Sequence, residues 1–284
     1  MLKCLGAAVL GAVVLGGPAG ALAPLGQQLD AIASTVRGTV GYSVLDLTSG
    51  DRIGRLQNDV FPTASTIKLA ILYELFKQAD EGTVRLDERV RLDRGKAVGG
   101  SGVLFQLGTP TLSIRDYATL MVIVSDNTAT NVLIDRLGLD RVTRRMAALG
   151  LHETKLRRRM MDAAARERGD ENVSTPFELV RLLEILNAGA GLSPGAREGA
   201  MAMLEKPKTS RLRAGVPAGV PVADKPGELE GIRVDAGIVF AGRPYVLAVM
   251  TRSLQREQEG ERAIADMSRA AYVFFTKKEA AHGP

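Results

Sequence analysis

The period of the apolar residues changes several times along this chain. From Leu25 to Val36 they recur at helical spacing, and "GTVGYSVLDL" then reads as a strand of β-forming residues. The turn signal Thr48-Ser49-Gly50-Asp51 leads into a second strand, "RIGRLQ", so the two are expected to form a hairpin. From Ser65 the period lengthens. "STIKLAILYELFKQADEG" predicts a helix with Gly82 just past its end, and "SIRDYATLMVIVSDN", "NTATNVLIDRLG" and "PFELVRLLEILNAG" predict three more, the last with Pro176 in its first turn. After Pro221 the alternation returns: "PVADKPGEL", "IRVDAGIVFA" and "RPYVLAVMT" read as a meander with turns at Glu230-Gly231 and Gly242-Arg243. A helix from Glu257 to Phe275 closes the pattern.

Strands near both ends with helices between them predict an α/β fold: a five-stranded antiparallel sheet, flanked by terminal helices, with an all-α domain inserted. Residues 22–60 and 208–284 are assigned to the α/β part, and residues 61–207 to the helical part, with a long loop at 154–176. The chain of 284 residues, 45% hydrophobic and 24% charged, can bury a sizeable core and is not a disordered tail.

Met1 to Ala23 changes the picture of where the chain works. Lys3, an apolar run from Leu5 to Gly17 and small residues at 19–23 make a secretory signal with cleavage expected after Ala21, too short for a spanning anchor. A secreted or periplasmic location is expected, with no membrane span after cleavage. The single cysteine, Cys4, lies inside that signal. With His152 and His282 as the only histidines, no metal and no cofactor are expected. The net charge of +5 is scattered; its one dense cluster, Arg157-Arg158-Arg159, has no interleaved aromatic residues, so no nucleic-acid partner is expected. A monomer is expected.

Three short stretches carry candidate chemistry. Ser65-Thr66-Ile67-Lys68 opens a helix, where Ser65 meets the positive end of the dipole and Lys68 returns to the same face within reach of its hydroxyl. The same stretch also suits a plain N-cap by Thr63 or Ser65. Ser125-Asp126-Asn127 interrupts two apolar helical stretches and suits either a capped helix-to-helix turn or a site. Lys225-Pro226-Gly227 lies in a strand and, alone, is a solvated edge with a proline in it.

Taken together and in this order, the three stretches resemble the motif set of class A β-lactamases and penicillin-binding proteins. "FPTASTIKLAILYEL", "GGSGVL", "SDNTATNVLIDRLG", "PAGVPVADK" and "GIRVDAGIV" extend the resemblance across nearly all of the chain after the signal. It implies that Ser65 is acylated, that Lys68 accepts its proton directly or through a relay, and that Ser125 passes a proton to the leaving nitrogen. It also implies that Asn127 binds the substrate's acylamide, that Lys225 and Gly227 meet the substrate near its carboxylate, and that the backbone N–H groups of Ser65 and Glu228 form an oxyanion hole. Asp126 is expected to be structural. Arg233 is a candidate for added charge at the carboxylate, although strand arginines more often face solvent.

The departures from that pattern are specific. The place of the deacylating glutamate falls on Met160 by one count and Met161 by another, and that of its partner asparagine on Ala164 or Ala165. A thioether is no base, so the nearest acid, Asp162, is the candidate substitute, whereas Glu167, Asp170 and Glu171 are read as solvated or capping. Pro226 removes a hydroxyl and an N–H that would face the cleft. Gly100 stands where many relatives carry an aromatic residue, which predicts a more open cleft. The expected function is therefore a serine hydrolase acylated by small-molecule β-lactams, with slow or atypical deacylation. A cell-wall DD-peptidase acting on D-Ala-D-Ala-like peptides and a non-catalytic binding protein are the alternatives.

Overall fold

The computed structural model describes residues 20–277. The signal stretch before Gly20, and with it Cys4, lies outside the described residues, as does His282. In chain order the first elements are α1 (Ala23–Ala33), β1 (Thr39–Asp46), β2 (Arg52–Arg55) and β3 (Phe61–Pro62). A 3₁₀ turn at Ala64–Ile67 runs into α2 (Lys68–Asp80), followed by β4 (Arg89–Arg91), β5 (Thr111–Ser113), α3 (Ile114–Ile123), α4 (Asn127–Leu137) and α5 (Leu139–Ala148). Then come α6 (Ala163–Glu167), β6 (Val173–Ser174), α7 (Pro176–Ala188), α8 (Pro194–Glu205) and α9 (Arg211–Ala214). The chain closes with β7 (Val222–Leu229), β8 (Ile232–Val239), β9 (Tyr245–Arg252) and α10 (Glu257–Thr276).

The five long strands form one antiparallel sheet in the order β2-β1-β9-β8-β7, so the expected hairpin and meander meet where β1 pairs with β9. Alternation explains its two buried faces. Val246, Ala248 and Met250 of β9 join the core shared with the helices, whereas Tyr245, Leu247 and Val249 join the core beneath α1 and α10. Strands buried on both faces read as near-continuous apolar runs, as these do. Helix α2 is buried almost all round, Lys68 included, which makes it the axis of the helical side. Among the described residues no helix is long and apolar enough to cross a membrane.

The inserted segment is not purely helical. β4 pairs with β5, and β3 pairs with β6, so two short ribbons interrupt it. The second ribbon matters for the site: it ties the end of the 154–176 loop to the strand that delivers the chain into Ser65. Thr63 N–H also donates to Asn172 O (2.9 Å), reinforcing that tie.

Candidate active site

Ser65 sits in the 3₁₀ turn and not on a regular helix start. Ala64, immediately before it, holds φ +47°, a left-handed conformation that costs energy for a residue with a side chain. Thr63 makes no side-chain cap, and its hydroxyl donates instead to Asn172 O (3.0 Å). The N-cap alternative is therefore not realised. The half-buried Ser65 lines the cleft on the helical side of the sheet's β7 edge.

Lys68 is 1% exposed, and its ammonium group donates to Ser125 O (2.7 Å), Ser125 Oγ (3.0 Å) and Asn127 Oδ1 (3.0 Å). Burial first, and the neighbouring Lys225 second, hold its amine well below the ordinary lysine range; Asp126 opposes them. Lys225, on β7, donates to Ser125 Oγ from the other side (3.2 Å) and to Pro226 O (2.7 Å). Burial draws its pKa down to about 8 against the pull of Asp235 and Asp224. The Ser125 oxygen thus accepts from two lysines, which fills both of its lone pairs. Its own proton is left free for the cleft.

Ser125 itself is held at φ +54° in the junction between α3 and α4. Asp126 fixes that junction: it caps α4 through Ala129 N–H (2.8 Å) and accepts from Val103 N–H (2.6 Å) and Leu104 N–H (2.8 Å), at 1% exposure. It is structural, as expected. Asn127 couples Lys68 to the opposite wall, since its Nδ2 donates to Gly99 O (3.1 Å).

Gly227 decides how closely β7 approaches the nucleophile. A Cβ there would lie 2.8 Å from Ser65 N and from Thr63 O, so any other residue would push the strand away. That approach lays the backbone of β7 against the turn that carries Ser65. Pro226 sits opposite Asp235 with the ladder intact on both sides, as its place on an edge strand allows.

The other wall is the 154–176 loop. Lys155 bridges Val173, and Asn172, 2% exposed, accepts from Arg157 N–H (2.8 Å) and Arg158 N–H (3.0 Å). The arginine run is dispersed: Arg158 is buried against Glu171 (2.8 Å), and Arg159 reaches Asp135 (2.8 Å). Glu171 is therefore an ion-pair partner within the loop and not a solvated or capping acid.

Met160 is buried and its main chain is clamped by Asn131, which accepts from Met160 N–H (2.8 Å) and donates to its carbonyl (3.1 Å). Met161 is 55% exposed at φ +62°. Both line the cleft, together with Asp162, whose carboxylate caps α6 by accepting from Ala165 N–H (3.0 Å). Gly100 does not simply open the cleft. At φ +87°, a Cβ there would meet Met161 Sδ at 2.9 Å, so a thioether occupies space the glycine leaves.

The cleft has two arms that share Ser65, Ser101 and Glu228. The first, about 320 Å³, is lined by Ser125, Thr209, Arg211 and Lys225; the second, about 350 Å³, runs past Gly100 to the methionines. The structure thus brings Ser65, Lys68, Ser125, Asn127, Lys225, Gly227 and Glu228 together, with Asp162 on the far wall.

Arg233 does not join them. Its guanidinium is held by Glu261 (2.9 Å), Glu257 and the carbonyls of Leu229 and Ile232 (2.9 and 2.8 Å), which use four of its five N–H donors, and it lines neither arm of the cleft. Arg211 lines the cleft instead. Sequence reading missed it because "TSRLRAG" carries only a short-helix signal; Ser210 caps α9 and thereby points Arg211 towards β7. Asn131 and Asn172 were also missed, since an interior amide has no sequence signature until its partner loop is known.

A buried lysine pair around one serine, beside a second serine on a strained turn under a sheet edge, defines a serine acyl-transfer protein of the β-lactamase and penicillin-binding fold. Residues 24–275 match the β-lactamase enzyme family, and the chain belongs to that family. It is 27% identical over 255 residues to an imipenem-hydrolyzing β-lactamase of Enterobacter cloacae, covering 86% of this chain and 87% of the relative. Among solved structures it resembles a β-lactamase from Sphaerobacter thermophilus (32% identity, TM-score 0.80, 88% and 96% of the two chains). It also resembles PBP-A (32% identity, TM-score 0.81, 89% and 96%), of which a leucine-to-glutamate variant is described as an acyl-enzyme complex with penicillin G. These relatives make the chain a class A β-lactamase-like serine hydrolase.

Proposed function

We propose that this chain is an exported hydrolase that β-lactams acylate at Ser65 and that clears the acyl group slowly. The leader pattern of residues 1–21 supports export. The observation that carries the rest is a contrast inside one cleft: Lys68 and Lys225 both hydrogen-bond Ser125, which lines the same arm as Ser65, while both carboxylates lining the opposite arm are engaged. Asp162 caps α6 and Glu228 binds Arg211.

Acylation follows from the contacts. In its neutral form Lys68 keeps its two N–H groups on Ser125 O and Asn127 Oδ1 and accepts from Ser125 O–H, which frees one lone pair of Ser125 Oγ; the Ser65 proton then passes to Ser125 Oγ as the Ser125 proton passes to Lys68, and Ser65 Oγ attacks the lactam carbonyl. The N–H groups of Ser65 and Glu228 receive the developing oxyanion. Collapse breaks the C–N bond; Ser125 protonates the nitrogen and recovers its proton from Lys68. Lys225 and Arg211 attract the ligand carboxylate in the first arm. Hydrolysis of the ester then needs a base, and Met160 supplies none.

A second reading, a D-Ala-D-Ala-directed peptidase, draws support from the likeness to PBP-A. One time course separates the readings. After addition of benzylpenicillin, intact-protein mass should show a covalent adduct that maps to Ser65, disappears in Ser65→Ala and persists for many minutes. Rapid loss of the adduct would mean an efficient base; release of D-Ala from a D-Ala-D-Ala peptide would favour the peptidase; no adduct and no turnover would sink both.

A further inference from the structure

We propose that the side chain of Glu228 is a specificity gate, keeping Arg211 occupied until a ligand carboxylate displaces it. The proposal rests on the acyl-transfer reading and extends it to the choice of ligand. Arg211 Nη2 donates to two carboxylates, Glu228 Oε2 (2.8 Å) and Glu261 Oε1 (2.9 Å). They differ in how they are held. Glu261 is braced from behind by Arg233 Nε (2.9 Å), whereas the Glu228 carboxylate, 55% exposed, makes no other hydrogen bond among the described residues. Of the two, Glu228 is the one that can leave.

Its position gives that freedom a consequence. Glu228 follows Gly227 at the closest approach of β7 to Ser65, and it lines both arms of the cleft. The first arm has two cations for an incoming carboxylate. Lys225 is already bound to Ser125 Oγ and Pro226 O, and Pro226 adds neither a hydroxyl nor an N–H. Arg211 is the second cation of that arm, and at rest two carboxylates neutralise it. A ligand carboxylate can use it only by exchanging one carboxylate for another. That exchange recovers little, and until it is complete two negative groups face each other across the arm. A ligand without a charge at that position meets no such penalty. Glu228 thus tilts the cleft towards ligands that are uncharged there, at the expense of free acids.

The test separates this gate from the chemistry it rests on. Non-covalent affinities of benzylpenicillin and its uncharged methyl ester are measured in Ser65→Ala and in Ser65→Ala/Glu228→Gln, which keeps the backbone N–H. The gate predicts that E228Q tightens the free acid about two- to fivefold, the scale of a partly exposed ion pair, and changes the ester less than about 1.5-fold. In an Arg211→Gln background the same substitution should lose its preference for the acid. Equal effects on acid and ester, no effect on either, or a preference that survives Arg211→Gln would each overturn the gate. Absence of a Ser65 adduct in the unmodified chain would instead overturn the acyl-transfer reading, leaving the affinity ratio to judge the gate alone.

Discussion

The two walls of the cleft are built on different principles. On the wall formed by α2, the α3–α4 junction and β7, buried polar groups point at one another: Lys68, Ser125, Asn127 and Lys225 form a closed set of hydrogen bonds in a low-dielectric site. On the loop wall the polar groups are equally well satisfied, but they hold backbone. Asn131 and Asn172 staple main chain, Arg158 and Glu171 neutralise each other, and Asp162 caps a helix. The first wall is arranged to move a proton, the second to stay in place. Fully bonded polar groups therefore do not by themselves mark catalysis; what distinguishes the first wall is a pair of lysines whose hold on a proton is weakened by burial, set around one hydroxyl.

The comparison breaks most visibly at Lys68. Lys68→Met should slow acylation of Ser65 about 10²- to 10⁴-fold, the usual contribution of a positioned general base, as read by the rate of mass adduct formation. An effect under about tenfold would move proton acceptance elsewhere. Next in size, Met160→Glu places a carboxylate where the clamp of Asn131 already fixes the backbone, and it should shorten the acyl-enzyme lifetime about ten- to a hundredfold. An unchanged lifetime would mean that the loop wall lacks more than its base.

A pH series comes third. On the proposed reading Lys225 captures the substrate carboxylate in its protonated form; with its pKa at about 8, KM for a free acid should rise about fivefold between pH 8 and pH 9 while kcat moves less. The folded chain holds this proton less tightly than the unfolded chain, with its ordinary value of 10.5. The same group therefore makes stability increase with pH between those values, which urea titrations at pH 8 and 10 would detect. The smallest effect is expected at Asp162. Asp162→Asn preserves the cap, so acyl-enzyme lifetime should change less than about threefold. A tenfold lengthening would identify Asp162 as the substitute base and erase the difference between the walls.

How much of this was legible in the sequence follows the same division. Strand alternation and helix spacing announced the sheet, its antiparallel order at both ends and the long helices, because periodicity is a local property. The acylation wall was legible through three short motifs. The loop wall was not, because its logic is tertiary: which of two adjacent methionines is buried depends on Asn131, and the fate of the arginine run depends on Asp135 and Glu171. Arg233 and Arg211 make the point for charge. A strand arginine drew attention and proved to be tied to α10, while the arginine that reaches the cleft comes from a four-residue helix too short for a periodic signal. Helix α8 was passed over although Ser193 and Pro194 mark its start, since its Gly- and Ala-rich face buries little per residue.

Strand β7 is both a wall of the cleft and one of the two outer strands of the sheet. An outer strand with free main-chain groups is a template on which another polypeptide can add itself, and a protein working at high concentration must guard against polymerisation along that edge. Pro226 interrupts the row of donors at its middle. On the reading proposed for the cleft, the residue that denies a ligand carboxylate a hydroxyl and an N–H also makes β7 a poorer template for a second copy. A Pro226→Thr chain should gain affinity for free acids and become more prone to associate.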